Sequence, residues 1–559
     1  MNPRCLSLVS TVCLLFAAER ANAQSVPPTA AAPAPTAANT LPTIDVFATT
    51  PLLGGGLEID KVPANVTVVD LDKIEAAQSL NIADALRQRV PSVNISEVSG
   101  NSFQPDVEFR GFVASPVAGT PQGLAVYQNG VRINEAFGDN VNWDLIPTAA
   151  IRSVGVATNN PAFGLNALGG AINIQMKDGF TYQGAEINTM GGSYGRIQSS
   201  AQWGKQIDNV AVYGAFEGLR DGGFRDFSPA NIRRFYGDVG YKTDSGEFHV
   251  NMGAADNNFG AAATVPVELL QQRWSNDYTT PQTSRNQVAY LNLTGKVDAT
   301  PTWTLEGNAH VRAFNQRTQD GNPTGTQPCA ADPALLCFGD DVTPANGLNG
   351  AQLANPFSPG AYLGEIDRTS TRSTNTDEVF GRSTRCVVRT SVAYGVTQFN
   401  ASAELGTIAP NYVVSGSGIF LGSSGDPVSI GPVSLRTTNL YNGLYLLDTF
   451  DVTKQFAVTA GGRLNVANIR LEDQIGSALN GNDTYSRFNP MIGGTYKITS
   501  EITAYAGYSE ANRAPTPLEL GCADPARPCT IAAFLISDPP LKQVVSRTLE
   551  AGFRGSHNF

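Results

Sequence analysis

Short segments with an apolar residue at every second position follow one another along the chain after about residue 180. Such alternation places the apolar side chains on one face of a strand, so each segment predicts a half-buried β-strand. Tight turns, such as Asp208-Asn209, and long polar loops separate the segments. We count about fourteen segments, which are clearest at 210–216, 248–252, 291–297, 303–313, 456–466 and 502–508.

The asymmetry between short turns and long loops distinguishes two kinds of β protein. A soluble β-sandwich has the same alternation, but strands of about ten residues with this asymmetry are typical of outer-membrane barrels. Charged residues make up 16% of the chain, against roughly 25% in an ordinary soluble domain. After the N-terminus, no apolar run reaches the ~18 residues of a membrane-spanning helix. The sequence therefore predicts a transmembrane antiparallel β-barrel over residues 180–559.

Residues 62–178 lack this long alternation and predict a compact α/β domain. Leu80–Leu86 belongs to a helix that ends before Val90-Pro91, and Asp70 or Asp72 can cap another helix. A two-residue turn is expected at Asn129-Gly130. The predicted strands are 66–69, 107–109, 124–127, 154–156 and 171–175.

The N-terminus predicts a secretory signal peptide over residues 1–23. Arg4 supplies its basic region, Cys5–Ala18 its apolar stretch, and Ala21-Asn22-Ala23 its cleavage site; a short membrane anchor is the alternative. Residues 24–61 form a tether that begins Pro- and Ala-rich. The tether carries a β-prone segment whose unpaired backbone could add a strand to a partner's sheet edge, although an ordinary linker looks similar. This segment is Thr43-Ile44-Asp45-Val46-Phe47-Ala48-Thr49.

Charge and motifs exclude several function classes. The net charge is −11, from 38 basic and 49 acidic residues, which argues against a nucleic-acid binder held by phosphate attraction. Only three histidines are present, at scattered positions, so we expect no multi-His metal centre and no cofactor. No nucleophile elbow, paired-carboxylate motif or metal cluster is found in the sequence, and the chain is not expected to be an enzyme.

Cysteines indicate the compartment. Removal of residues 1–23 leaves five of the seven cysteines. Four form close pairs in polar loops, Cys329 with Cys337 and Cys522 with Cys529, and an oxidising compartment favours two local disulfides. A zinc site is the alternative, but the spacings are wide and no His is adjacent. Cys386 is expected to be a packed free thiol.

A series of motifs runs in order through nearly all of the mature chain. In the α/β domain they are 62–69, 82–93, Phe109-Arg110-Gly111-Phe112, 126–132, 146–151 and 169–174. In the barrel they are 192–195, 488–490, 508–519 and 548–552. Together they resemble the TonB-dependent outer-membrane receptors, in which an N-terminal plug fills the lumen of a barrel of about 22 strands. Residues 43–49 resemble the TonB box of this family.

The resemblance implies active uptake driven through the periplasm. A ligand would bind the outer face of the plug and the barrel loops, and residues 43–49 would then be released. TonB, with its inner-membrane motor complex, would pair with Ile44, Val46 and Ala48 as an added strand and pull. The ligand that the family favours is a ferric siderophore or other iron chelate, with cobalamin or a saccharide as alternatives. We expect a monomer in outer-membrane lipid; a passive channel or adhesin is the alternative from another class.

The resemblance also suggests ion pairs between plug and barrel. Arg110, Arg132 and Arg152 on the plug are the candidate cations. Glu519 and Glu550 are candidate lumenal carboxylates. Solvated arginines on the plug surface are the alternative for each of the three.

Two departures from the family pattern affect these expectations. Where the family usually has acidic and basic residues and an Arg-Gly-Pro, residues 152–161 read Arg-Ser-Val-Gly-Val-Ala-Thr-Asn-Asn-Pro, so the contacts that hold plug to barrel must be rearranged. About fourteen strands also fall short of about 22, and the motif at 548–552 lies unusually close to the last residue. We therefore expect a partial barrel, C-terminally incomplete, whose first and last strands are unpaired.

Overall fold

The computed structural model describes most of the chain from Val46 onward, within one compact unit. The expected signal peptide and the pair Cys522/Cys529 lie outside the described residues. Described are 46–48, 56–70, 74, 81–98, 100–117, 119–158, 160–260, 265, 267–277, 282–300, 303–323, 326–338, 340–344, 351–352, 354, 363–379, 382–383, 386–408, 420–422, 429–474, 476–477, 479–521 and 541–555.

An α/β domain, the plug, precedes the long strands. Five of its strands form a sheet in the order β3-β9-β10-β7-β8, in which only β10 and β7 run parallel. Strands β4, β5 and β6 form a second, antiparallel sheet, and β1 pairs with β2. The elements are β1 (Val46–Ala48), β2 (Gly56–Glu58), β3 (Val66–Asp70), α1 (Ile82–Arg89), β4 (Val93–Ser96), β5 (Asp106–Phe109), β6 (Phe112–Ala114), β7 (Leu124–Gln128), β8 (Val131–Arg132), β9 (Ile151–Ala157) and β10 (Gly170–Met176).

Helix α1 begins two residues after the predicted Leu80 and ends, as predicted, before Val90-Pro91. The side chain of Asn81 accepts a hydrogen bond from the Asp84 N–H at 2.9 Å, which satisfies an otherwise free amide of the first turn. The helix stops at Arg89, before Val90-Pro91, because a residue that precedes proline disfavours helical backbone. Its buried residues are Ile82, Ala83, Ala85 and Leu86. No helix in the described part of the chain is long and apolar enough to span a membrane.

The predicted turn at Asn129-Gly130 joins β7 to β8. Both residues have positive φ, 47° and 83°, as a two-residue hairpin turn with this twist requires. The Asn129 amide also accepts from the Met176 N–H and donates to the hydroxyl of Tyr236 on the wall, both at 2.9 Å. The turn therefore fixes the plug sheet internally and contacts the surrounding strands.

The plug core is continuous with the strands that surround it. Trp143 and Ile146 are almost fully buried in a cluster that contains residues of α1 and of both plug sheets. The same cluster includes Tyr213 and Tyr236, which come from the long strands. Burial of this shared apolar surface holds the plug against one side of the wall.

In the described part of the chain, fourteen long strands form a single antiparallel wall in chain order. Short turns connect them at one end, the turn end, and long loops at the other, the loop end. The loops carry short elements: α2 (Val267–Gln272), β18 (Thr326–Pro328), β19 (Leu336–Phe338), β23 (Phe420–Gly422) and α3 (Pro517–Gly521), whereas β21 (Arg382–Ser383) lies at the turn end. The wall strands are β11 (Gly184–Gly191), β12 (Ile197–Ile207), β13 (Val210–Asp221), β14 (Ala230–Thr243), β15 (Gly246–Gly260), β16 (Gln282–Thr300), β17 (Trp303–Pro323), β20 (Leu363–Val379), β22 (Cys386–Ile408), β24 (Ser429–Asp451), β25 (Phe456–Asp473), β26 (Gly481–Lys497), β27 (Ile502–Arg513) and β28 (Val544–Gly555).

Alternation along the wall strands confirms the predicted pattern. In β13, Ala211 and Tyr213 face the plug and are buried, whereas Val212 and Phe216 point outward and are exposed. An outward face of apolar side chains is the arrangement that a strand in a lipid bilayer requires.

The wall does not close on itself. Among the described strands, β11 pairs only with β12, and β28 pairs only with β27. Ile187 on β11 and Leu549 on β28 are more than 80% exposed. The first and last wall strands are therefore not paired with each other, as the sequence predicts.

Candidate functional site

The predicted coupling segment, residues 43–49, is described only at Val46–Ala48. These residues form β1, which pairs with β2 so that Val46 lies opposite Glu58 and Ala48 opposite Gly56. The expectation of an unpaired backbone is therefore wrong for these three residues, because β2 supplies a partner strand along one edge. The sheet has two strands, so β1 has no second neighbour among the described residues. Thr43, Ile44, Asp45 and Thr49 lie outside the described residues.

Arg110 and Glu550 are the predicted pair that the structure brings together. Nη1 of Arg110 on the plug lies 3.0 Å from Oε1 of Glu550 on β28. The other oxygen of Glu550 accepts from the hydroxyl of Thr158 on the plug at 2.7 Å. One inward carboxylate of the last wall strand thus binds two separate parts of the plug.

The other candidate residues have different partners. Arg132 lies 2.6 Å from Asp139 on the plug itself, and Arg152 donates to the side chain of Gln175 on the neighbouring plug strand. Glu519 on α3 is paired with Arg513 at 2.7 Å, both within the wall and its loops. Among the described residues, Arg132 and Arg152 form no ion pair with Glu519 or Glu550, because plug groups that lie next to them in the fold supply their hydrogen-bond acceptors.

The plug tip beside Asp139 contacts the loop end. The Leu518 N–H of α3 donates to the Phe137 carbonyl at 3.1 Å, and both side chains are buried in one apolar cluster. Burial raises the pKa of the Asp139 carboxyl to about 6, although Arg132 and Arg513 lower it. Helix α3 therefore places Glu519 close to the plug tip without a direct ion pair to an arginine of the plug.

A buried ion pair of the wall, which no sequence motif indicated, also holds the plug by hydrogen bonds to its backbone. Arg234 on β14 and Glu217 on β13 lie 3.0 Å apart, and their side chains are 1% and 3% exposed. Glu217 accepts hydrogen bonds from the backbone N–H groups of Thr148 and Ala149, at 3.0 and 2.9 Å. Arg234 donates to the Ile146 carbonyl at 2.6 Å. We call this arrangement the lock.

Two further contacts lie beside the lock. Arg312 on β17 donates two hydrogen bonds to Glu135 on the plug, at 2.7 and 2.6 Å. The buried carboxylate of Asp144 on the plug accepts from the wall amides of Asn257 and Asn286, at 2.8 and 3.0 Å. Burial raises the pKa of Asp144, and these amides oppose that rise. Glu217, Arg234 and Arg312 are charged residues at wall-strand positions whose side chains point toward the plug. A charge at such a position is the sequence signal that would have indicated them.

Two cavities separate the plug from β14–β17. The larger, of about 210 Å³, is lined by polar groups that include Arg152, Asp238 and His249. The smaller, of about 30 Å³, shares Asn129 with it. Both ring nitrogens of His249 lie 3.1 Å from carboxylate oxygens, of Asp238 and Glu247. The described residues contain no group of three or more side chains suited to hold a metal ion.

A disulfide joins Cys329 to Cys337 at the loop end, with Cα atoms 4.9 Å apart. It closes the short antiparallel pair β18–β19. We expect non-reduced peptide mass spectrometry to find this bridge and a second one between Cys522 and Cys529, since an oxidising compartment favours disulfides between cysteines so close in sequence. Free thiols at Cys329 and Cys337 in the folded protein would contradict the first bridge, and free thiols at the other pair would contradict the second.

The contact between Arg110 and Glu550 is expected to be weak. Arg110 is 36% exposed, and solvent screens such pairs, which typically contribute about 0.5 kcal/mol. A double-mutant cycle with Arg110→Ala and Glu550→Gln should therefore give a coupling energy below about 1 kcal/mol. Urea unfolding of the protein in lipid vesicles measures this coupling energy. A value above about 2 kcal/mol would contradict the view that solvent screens the ion pair.

The fold and its contacts define a plugged, partial β-barrel, and comparisons with known proteins identify its family. The family model "TonB-dependent Receptor Plug Domain" matches residues 58–171, and "TonB dependent receptor-like, beta-barrel" matches residues 340–559. Together they cover more than half of the chain. The chain belongs to the TonB-dependent receptors, a family of outer-membrane receptors and transporters of Gram-negative bacteria rather than of enzymes.

Individual relatives are distant. The chain is 24% identical over 243 residues to the vitamin B12 transporter BtuB of Vibrio vulnificus, a match that covers 42% of this chain and 37% of that transporter. The siderophore receptor PiuA of Acinetobacter baumannii has a TM-score of 0.59 at 15% identity, covering 89% of this chain and 70% of PiuA. The ferripyoverdine receptor of Pseudomonas aeruginosa has a TM-score of 0.61 at 14% identity, covering 92% and 63%. The chain thus spans little more than a third of the curated relative and about two thirds of the solved ones.

Proposed function

We propose that this protein takes up a scarce small ligand across the outer membrane, with energy that TonB delivers to residues 43–49. The observation that carries the proposal is that β1 is already a strand with one unpartnered edge among the described residues. Backbone pairing along that edge would let TonB add a strand without first breaking the β1–β2 hairpin. By analogy with the family, the turn end faces the periplasm and the loop end faces the exterior.

Active uptake fits the plug contacts better than passive diffusion does. Apolar packing and several buried polar contacts, the lock among them, attach the plug to β13–β17. A lumen filled in this way needs work to open, and the outer membrane has no ATP to supply it. These contacts support a mechanical input at the coupling segment.

The cargo that we propose is a ferric siderophore or another iron chelate. Support comes from solved structures of similar fold that are described as siderophore and ferripyoverdine receptors. Cobalamin is the second candidate, because the curated relatives that match by sequence are vitamin B12 transporters. The cargo would bind at the loop end, where the plug tip around Phe137 meets α3.

Uptake assays in a receptor-deleted host test the proposal. The full chain is expressed in cells with and without TonB, and radiolabelled iron chelates and cobalamin are offered one at a time. We expect one of these ligands to accumulate only in cells that contain TonB. Accumulation at equal rates in both strains would instead indicate a passive channel.

A further inference from the structure

A short stretch of chain connects the coupling hairpin to the plug. Strand β2 ends at Glu58, a single turn of 3-10 helix spans Ile59–Lys61, and β3 begins at Val66. We call residues 58–64 the connecting segment. Because it is the only covalent path from residues 43–49 to β3, any force applied to the coupling segment passes through it before the force reaches β3.

Arg554 on β28 binds the connecting segment by its backbone. Its guanidinium donates hydrogen bonds to the carbonyls of Ile59, Val62 and Ala64, with distances of 3.3 Å to Val62 and 2.5 Å to Ala64. The same group lies over the ring of Tyr505, 5.1 Å from its centroid. A guanidinium presents five N–H donors in a fixed plane, so it can hold three carbonyls at once, which an ammonium group does not do in this geometry.

Two ion pairs attach the segment to neighbouring points of the turn end. Nζ of Lys497, the last residue of β26, lies 3.0 Å from Oδ2 of Asp60. Nζ of Lys61 lies 3.1 Å from Oδ2 of Asp451, the last residue of β24. All four side chains are partly exposed, so each pair is screened by solvent and individually weak.

Pro63 of the connecting segment adds an uncharged packing contact with β26. A Cβ atom placed on Gly493 of β26 would lie 2.6 Å from the Cβ of Pro63, closer than two such atoms approach. The connecting segment therefore passes directly against the bare backbone at Gly493. Three wall strands, β24, β26 and β28, contact six consecutive residues, 59–64.

We propose that these contacts form a clamp that bears the pulling force before the plug sheet does, with Arg554 as its positioning residue. The clamp rests on the proposed function for the origin of the force. The contacts lie between the coupling segment and the pairing of β3 with β9, so they must break before force reaches that pairing. Several weak contacts in series resist thermal release of the segment but yield to a sustained pull. The clamp sets the force at which the plug begins to open.

Single-molecule pulling on the full chain in a supported bilayer tests the clamp. A biotinylated tag inserted in the tether ahead of Thr43 supplies the handle, and the wall stays anchored in lipid. The β1–β2 hairpin opens before the connecting segment is loaded. Wild-type protein should then give a clamp rupture, here called the first rupture, that releases about 25 Å of chain, the extended length of seven residues, before the plug sheet opens. In Arg554→Ala, this first rupture should occur roughly ten times faster at the same force, as expected for the loss of one contact cluster. Opening of the plug sheet should be unchanged.

Charge reversal provides a test that does not depend on Arg554. Lys497→Glu should also speed the first rupture, and Asp60→Lys in the same chain should restore it. Lys454→Glu is the matched control, because Lys454 lies in a nearby turn and has no ion pair among the described residues. First ruptures at the wild-type rate in both Arg554→Ala and Lys497→Glu would overturn the clamp.

A second handle separates the clamp from the proposed function. The tip is coated with the periplasmic domain of TonB instead of a biotin-binding protein. If that tip fails to attach while the biotin handle still reports the first rupture, the proposed coupling to TonB is wrong and the clamp stands. If both tips attach and neither variant changes the first rupture, the clamp is wrong and the coupling stands.

Discussion

Val46→Pro is expected to abolish TonB-driven uptake and to leave ligand binding intact. Val46 lies in β1, the part of the coupling segment that is already extended. Proline removes a backbone donor from any added strand and bends the chain. Loss of one hydrogen bond between the paired strands costs about 1 kcal/mol. This loss and the bend together should lower the affinity of TonB for the segment roughly tenfold or more. Accumulation of the ligand found in the uptake assay measures the effect.

Thr40→Pro is the matched control for this prediction. It adds the same residue to a part of the tether that is already rich in proline and alanine, outside the coupling segment. We expect wild-type uptake from this variant and equal ligand binding from both. Wild-type uptake by Val46→Pro would show that TonB does not engage residues 43–49.

Arg234→Ala is expected to lower the free energy of unfolding of the plug by about 3–5 kcal/mol. This is the usual cost of removing one partner from a buried ion pair. The substitution leaves the Glu217 carboxylate buried without its cation and the Ile146 carbonyl without its donor. Urea unfolding followed by the fluorescence of Trp143, which is fully buried in the plug core, reports the change. Replacement of Trp203, Trp274 and Trp303 by Phe isolates that signal.

Arg233→Ala is the control for the lock. Arg233 precedes Arg234 on the same strand but points outward and is exposed. We expect its replacement to change the unfolding free energy by less than about 0.5 kcal/mol. Equal destabilisation by the two variants would mean that the lock has no special role in holding the plug.

Local patterns in the sequence predicted the elements well because their causes are local. The alternation that defines β13 depends only on which side chains face lipid, and the start of α1 depends on Asn81 and the next few residues. The turn at Asn129-Gly130 is likewise dictated by two residues that accept positive φ. Such features are visible without knowledge of the rest of the fold.

The contacts that hold the plug were harder to predict. Glu217 and Arg234 bind backbone N–H and carbonyl groups of residues 144–149, and Arg554 binds carbonyls of the connecting segment. A hydrogen bond to a backbone group does not depend on which side chain that residue carries. No sequence motif on the plug therefore indicates these contacts. Arg110 and Glu550 were found through the family motifs that contain them, whereas Arg132 and Arg152 have partners on the plug that those motifs do not reveal.

Binding of the purified periplasmic domain of TonB to the full chain in lipid nanodiscs tests the central claim most directly, because it needs no knowledge of the cargo. Calorimetry compares three proteins: the wild type, a variant that lacks residues 43–49, and a variant that lacks the equally long stretch 36–42. We predict binding to the wild type and to the variant without 36–42, and none to the variant without 43–49. Equal affinity of TonB for all three proteins would contradict the assignment of residues 43–49 as the coupling segment.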